Sequence, residues 1–331
     1  MTTSRTEGRI AKKLIAILIY ILLILAIFII LATLKLPSHT YLWREIHNSG
    51  HTPLFGAMSL LMLGILMAMS KTAGNGRLWL YISAAAITIG LGAILEIVQI
   101  AGPGDADIFD LLRDIAGVTS FTLLAAVFDR SLKLFQGDVG RKYRITALAT
   151  AIIILVSSLI PVGLWTAAYI NREKAFPRLL DFDSAIGMKF VRTQDAYLER
   201  TAPPAGWSAA DGKVGKLTFL PGQFPGLSIA EAHPDWRGYD SFKFNILSEL
   251  DKPVKIWFRI DDLHHNNEYN DRFNDVITVN PGPNTYEVSL EKIGRAPEKR
   301  VMNMGTVRSV MLFGINTTSE FTLYFDNFRL E

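Results

Sequence analysis

The stretch ILEIVQIAGPGDADIFDLLRDIAG runs from Ile94 to Gly117. It starts inside one apolar run and ends inside the next. Between them it carries Glu96, Gln99, Asp105, Asp107, Asp110, Arg113 and Asp114. Gly102, Pro103 and Gly104 break the chain there, since glycine and proline stop helices. Two apolar runs near bilayer-spanning length, parted by a short polar turn, read as membrane helices that reverse at the edge of the layer.

Working outward, the same reading extends over the first half. Spans are expected at about 14–34, 53–70, 78–101, 108–128 and 145–170. The first is uncharged over Leu14 to Leu34, and a helix needs ~20 residues to cross. It is too long for the apolar core of a signal peptide and no small-residue cleavage site follows, so it reads as a retained span. Positive loops stay cytoplasmic. Arg5, Arg9, Lys12 and Lys13 precede the first span, Lys71 and Arg77 flank the second loop, and Arg130, Lys133, Arg141, Lys142 and Arg144 fill the fourth. Five spans then put the N-terminus in the cytoplasm and everything after Ile170 outside, periplasmic or extracellular. The expected location is a bacterial plasma (inner) membrane, with membrane lipids as neighbours.

The chain has 331 residues, half of them hydrophobic, a net charge of +3 and no cysteine. Disulfides, thiolate metal sites and cysteine nucleophiles are therefore excluded. The basic residues cluster in loops and not in a stripe with aromatics, so no nucleic-acid partner is expected.

The opening stretch joins spans three and four on the outer side. Glu96 and Gln99 share a helical face. Asp107, Asp110 and Asp114 share another if a helix starts near Asp107. First-turn aspartates suit the helix dipole, which accounts for Asp105 and Asp107. Glu96 sits deeper, where an ionisable group costs roughly 2.5–3.5 kcal/mol on insertion scales. His39, His47 and His51 come from the first outer loop. His51, Glu96, Gln99, Asp110 and Asp114 are the candidate acid/base site. The same groups suit a metal through imidazole and carboxylate, though no compact ligand motif is present. A structural pairing of His51 with Glu96 is the third reading.

The stretch from His51 to about Phe128 resembles the VanZ-like family of small bacterial membrane proteins. The likeness lies in His51 with Phe55, the pair Glu96 and Gln99, the following Pro-Gly turn, and Asp110, Asp114 and Gly117. The family is associated with low-level glycopeptide resistance. Two features depart from its pattern: Asp105 stands where an arginine is common, and His47 and Asn48 stand where an Asp-Lys pair is common. Arg113 is the residue left to bind an anion.

From about Phe182 the pattern changes to period two. Residues 171–181 read as a short charged linker and 182–331 as an outward domain. Val254, Ile256, Phe258 and Ile260 alternate with Lys255, Trp257, Arg259 and Asp261. Eight or nine short strands argue for an antiparallel β-sandwich. The fold class is thus an all-α transmembrane bundle followed by an all-β sandwich. An aromatic plane flanked by charges suits a sugar ring, so Lys255, Trp257, Arg259 and Asp261 are the candidate glycan-binding residues. The loop Asp261 to Phe273 at the strand's end adds donors and acceptors.

This half also resembles carbohydrate-binding modules with the galactose-binding-like jelly-roll fold, through WRGYDSFKFNI (Trp236–Ile246) and LYFDNFRL (Leu323–Leu330). Trp236 and Tyr239 are expected in the core. The resemblance implies a structural calcium held by Asp326 with Asp181 or Asp183. Three functions follow as expectations: glycan recognition, acid/base catalysis on a lipid-linked substrate, and proton-coupled transport through Glu96. No G-x-S-x-G nucleophile motif is present.

Overall fold

The computed structural model describes residues 2–33, 40–70, 76–101, 108–207 and 212–331. The chain divides into two compact units, Met1–Trp165 and Thr166–Glu331.

The first unit is helical. Its elements are α1 (Thr2–Thr33), α2 (Tyr41–Ser49), α3 (His51–Met69), α4 (Gly76–Ala101), α5 (Ile108–Phe128) and most of α6 (Gly137–Ala175). Five stretches of the described residues are long and apolar enough to cross a membrane: Ile10–Leu31, Tyr41–Met69, Gly76–Val98, Ile108–Phe128 and Gly137–Ala175. Helices α3 and α5 approach most closely. A Cβ on Gly117 would lie 2.0 Å from the Thr52 carbonyl oxygen, and one on Gly56 would lie 2.4 Å from the Phe121 ring. Small residues allow such approach where apolar tails replace water as solvent. At the other end of the hairpin, Asp129 accepts from Arg77 Nε at 2.7 Å and Tyr81 Oη at 2.8 Å, fixing the start of α4.

Two differences from the sequence reading concern helices. The segment between the first two expected spans contains α2, capped by Thr40, whose hydroxyl accepts from Trp43 N–H. The expected linker at 171–181 is not a linker: α6 continues to Ala175, and Arg178–Leu180 forms the first strand. The charged end of the helix is held within the second unit. Arg172 donates to the Glu231 carbonyl at 3.0 Å, Tyr169 donates to the Glu231 carboxylate, and Phe176 stacks on His233. Pro161 lies inside this continuous helix.

The second unit is an antiparallel β-sandwich, with eleven strands among the described residues where eight or nine were expected. In chain order they are β1 (Arg178–Leu180), β2 (Val191–Gln194), β3 (Ala196–Thr201), β4 (Val214–Phe219), β5 (Gly226–Ala230), β6 (Ser241–Ser248), β7 (Val254–Asp262), β8 (Phe273–Val279), β9 (Gly282–Ser289), β10 (Val307–Phe313) and β11 (Phe321–Leu330). A five-residue helix, α7 (Leu290–Gly294), follows β9. One sheet runs β3-β4-β11-β6-β9 with β1 added on β11; the other runs β2-β5-β10-β7-β8.

Alternation explains the core. Phe242, Phe244, Phe258, Phe325 and Phe328 are almost fully buried between the sheets. Phe244 stacks on Phe328 at 4.7 Å and Phe242 on Phe258 at 5.6 Å. Each such ring contributes roughly 1.5–3 kcal/mol of burial. Trp236 is core, as expected, stacked on Phe242, while Tyr239 is half-buried edge-on to Phe176. In β7, Ile256, Phe258 and Ile260 point inward, which turns Trp257 and Arg259 to the outer face.

Candidate functional site

Register builds a site on the outer face of the five-stranded sheet. Directly paired residues share a face. One row therefore crosses Val276, Trp257, Phe313, Gly226 and Gln194. The next crosses Asn274, Arg259, Met311, Ser228 and Arg192. Phe224, Tyr269 and Arg272 rise beside these rows, and together they enclose a groove of about 610 Å³. That volume falls within the range of small-ligand sites, about 300–1,000 Å³. Gly226 keeps the floor low, because a Cβ there would lie 2.1 Å from the Leu312 carbonyl oxygen of the neighbouring strand.

The polar groups are held in place. Asp261 is buried, and its Oδ2 accepts from Arg259 Nε at 3.0 Å and Nη2 at 2.9 Å. It positions Arg259 from behind and does not line the groove. Arg272 donates to Asn274 Oδ1 at 3.1 Å, and its guanidinium lies 5.3 Å from the Tyr269 ring centre. Burial, and then the positive charge of Arg259, holds the Arg272 pKa below its usual value. Arg192 donates to the Lys189 and Val191 carbonyls.

Of the four expected binding residues, Trp257 and Arg259 line the groove. Asp261 is buried, and Lys255 lies on the same face outside the lining. The loop after β7 supplies Tyr269 and Arg272, with Asn274 following on β8. The rest of the loop is held to the strand end by Arg300, which bridges Asp262 at 2.7 Å and Asp271 at 2.5 Å. Sequence reading missed the contributions of β2, β5 and β10. The strand at 307–315 was expected but given no binding role, and the signal for β2 and β5 was a set of outward positions on strands not assigned singly.

The helical unit holds the second candidate. His51, at the first turn of α3, bonds through Nδ1 to Asp114 Oδ1 on α5 at 2.9 Å. Both side chains are buried, and the other oxygen, Asp114 Oδ2, has no hydrogen-bond partner among the described residues. His51 Nε2 faces Asp110 Oδ2 at 4.0 Å. The Glu96 carboxylate is buried and near enough for its charge to act on His51. The hydrogen bond from His51 runs to Asp114, a pairing the sequence reading did not single out. Arg113 is engaged rather than open to an anion: it lies 2.5 Å from Asp110 Oδ1 and 3.7 Å from Glu45 Oε2. Glu45 comes from α2, read as loop from sequence. His39, Asp105 and Asp107 lie outside the described residues, as does the side chain of Gln99.

The residues expected to hold calcium do not fit one. Among the described residues, no group of three or more His, Asp or Glu side chains is placed to hold a metal ion. Asp183 Oδ1 is taken by the Lys213 N–H at 2.7 Å. Asp326 is buried, which lifts its carboxyl to about 7, and the nearby Asp183 and Asp181 charges add to the rise.

No family model matches the chain, and no curated protein matches it. Solved structures are similar over a little under half of it. An exo-beta-agarase is similar at 18% identity over 46% of this chain and 24% of its own, with a TM-score of 0.38. The chain thus spans about a quarter of that enzyme's length. The family 11 carbohydrate-binding module from Clostridium thermocellum, solved with a beta-1,3-1,4-mixed-linked tetrasaccharide, is similar at 14% over 46% of this chain and 93% of its own, with a TM-score of 0.36. A family 29 carbohydrate-binding module is similar at 12% over 42% of this chain and 77% of its own, with a TM-score of 0.28.

Proposed function

We propose that this chain is a multi-pass protein of a bacterial plasma membrane that binds a glycan through the groove of its β-sandwich. In this reading residues 1–170 form a VanZ-like membrane half with a cytoplasmic N-terminus, and the sandwich faces the periplasm or the exterior. The observation that carries it is the row Trp257–Phe313–Gly226, flanked by Arg259, Asn274 and Gln194. A flat aromatic floor matches the C–H face of a pyranose, and fixed donors beside it match hydroxyls. The test is an oligosaccharide array probed with the full chain in detergent micelles. Binding is expected, with loss in Trp257→Ala. An intact, monodisperse protein that binds no oligosaccharide overturns the reading.

A second reading concerns the helical unit and is favoured by the geometry of His51. A carboxylate on Nδ1 fixes the imidazole tautomer and leaves Nε2 as a base. Here Asp114 occupies Nδ1 and Nε2 faces Asp110. Such a pair suits proton transfer to or from a hydroxyl of a lipid-linked envelope precursor. Turnover of a lipid-linked disaccharide that His51→Gln abolishes is the expected result. Equal turnover by parent and variant removes His51 from any such chemistry.

A further inference from the structure

Charge in the groove narrows the ligand class beyond a glycan in general. Three arginines line it, Arg192, Arg259 and Arg272, and no Asp or Glu does among the described residues. Asp261 lies behind Arg259 and pairs with it. Arg272 is bonded to the neutral Asn274 amide oxygen and lies against the Tyr269 ring, with no ion pair of its own among the described residues. Arg259 and Arg272 are near enough to repel each other. Two guanidinium groups therefore share one carboxylate inside a groove whose other walls are Trp257, Tyr269, Phe224 and Phe313. Like charges gathered in a cleft with low-dielectric walls focus a positive field onto whatever enters.

We infer that the groove takes an acidic oligosaccharide, one whose sugars carry carboxylate or sulfate groups. This rests on the glycan reading above and specifies its substrate class. Guanidinium is the side chain best matched to a planar carboxylate or a sulfate, through paired N–H donors. The arginines are also spread along the groove. Arg192 is on β2 and Arg272 precedes β8, the two edges of the sheet. Four strand spacings separate those edges, about 19 Å. That length favours a run of several sugars with repeated acidic groups over a single one. Between the charges lie Thr193, Gln194, Ser228 and Asn274, neutral donors and acceptors suited to sugar hydroxyls. Those neutral groups and the small overall charge of +3 favour an acidic glycan over a nucleic acid.

The experiment titrates the full chain in detergent micelles with five probes at one ionic strength. They are oligogalacturonate for carboxylate, carrageenan oligosaccharide for sulfate, neutral galactan and mixed-linkage β-glucan oligosaccharides of matched length, and oligo-dT. The acidic sugars are expected to bind at least tenfold more tightly than the neutral ones. Arg272→Gln should erase most of that preference. Arg295→Gln, which removes an equal charge from an exposed pair with Glu291, should leave it unchanged. Preference for one of the two acidic probes identifies the group recognised. Neutral sugars that bind as well as acidic ones, with Trp257→Ala still abolishing binding, overturn the acidic class and leave the glycan reading standing. Oligo-dT binding as tight as the acidic sugars overturns it in favour of a nucleic-acid groove. Absence of binding to every probe overturns both readings.

Discussion

His51 on α3 and Asp114 on α5 are joined by a 2.9 Å bond between Nδ1 and Oδ1, and Asp114 is fully buried. Removing one partner of a buried hydrogen bond leaves the other unsatisfied and costs about 1–3 kcal/mol. Replacing both with apolar residues removes that penalty along with the bond. His51→Leu and Asp114→Leu are each expected to lower stability by that order, and the double variant by less than their sum. Equilibrium unfolding in mixed micelles measures the coupling through a double-mutant cycle. A coupling below about 0.5 kcal/mol would mean that the two side chains do not act as a unit.

The His51–Asp114 bond depends on how closely α3 and α5 approach. The Gly117 position leaves no room for a Cβ, which would lie 2.0 Å from a main-chain oxygen of Thr52. A backbone atom cannot rotate away, so Gly117→Ala must part the helices. Overpacking of this kind costs about 1–3 kcal/mol. Gly163 on α6 has nothing within 4 Å of its Cβ position. There alanine is expected to be neutral or stabilising by up to about 1 kcal/mol, from helix propensity alone. Melting temperatures of the two variants should move in opposite directions or differ by several degrees. Equal shifts would overturn the close-packing account.

In the sandwich, Trp257 faces the groove and not the core. Trp257→Ala is expected to weaken glycan binding by about tenfold or more, which corresponds to roughly 1.4 kcal/mol. Its melting temperature should stay near that of the parent, because the inward residues Ile256 and Phe258 are untouched. Asp261→Asn should weaken binding less, since it loosens Arg259 without removing it. A large loss of stability in Trp257→Ala would place that ring in the core and contradict the register.

The readable parts of this chain were those whose cause is local. An apolar helix was expected at 108–128, and among the described residues α5 runs over Ile108–Phe128 despite Asp110, Arg113 and Asp114 in its first turns. The inward and outward faces of β7 follow from period-two alternation. Where a second segment decides, the sequence was silent. The end of α6 carries Asn171, Arg172, Glu173 and Lys174 and reads as a charged link. It stays helical, with Arg172 and Glu173 engaging Glu231 and His233 some sixty residues on. Helix α2 is short and polar, and only the Thr40 cap marks it. The aspartate chosen by His51 lies 63 residues away. The groove draws on five strands, of which alternation exposed one.

Asp326 supplies the pH prediction. Burial and the nearby Asp183 and Asp181 raise its carboxyl to about 7, from an ordinary value near 3.8. Between those two values the folded chain holds a proton that the unfolded chain has released. Stability therefore falls as pH rises through that window, by up to about 1.4 kcal/mol per pH unit, and does not change further above it on this account. Asp326→Asn keeps an acceptor for the Asn327 N–H and removes the titration. The variant is expected to melt above the parent at pH 8, with the difference shrinking towards pH 5. Scans of the full chain in micelles at both values measure it, and equal pH dependence in the two proteins overturns the assignment. Since the nearby aspartates do not form a ligand set, millimolar calcium is expected to leave both melting temperatures in place. A rise in the parent alone would instead mean that Asp326 holds a cation.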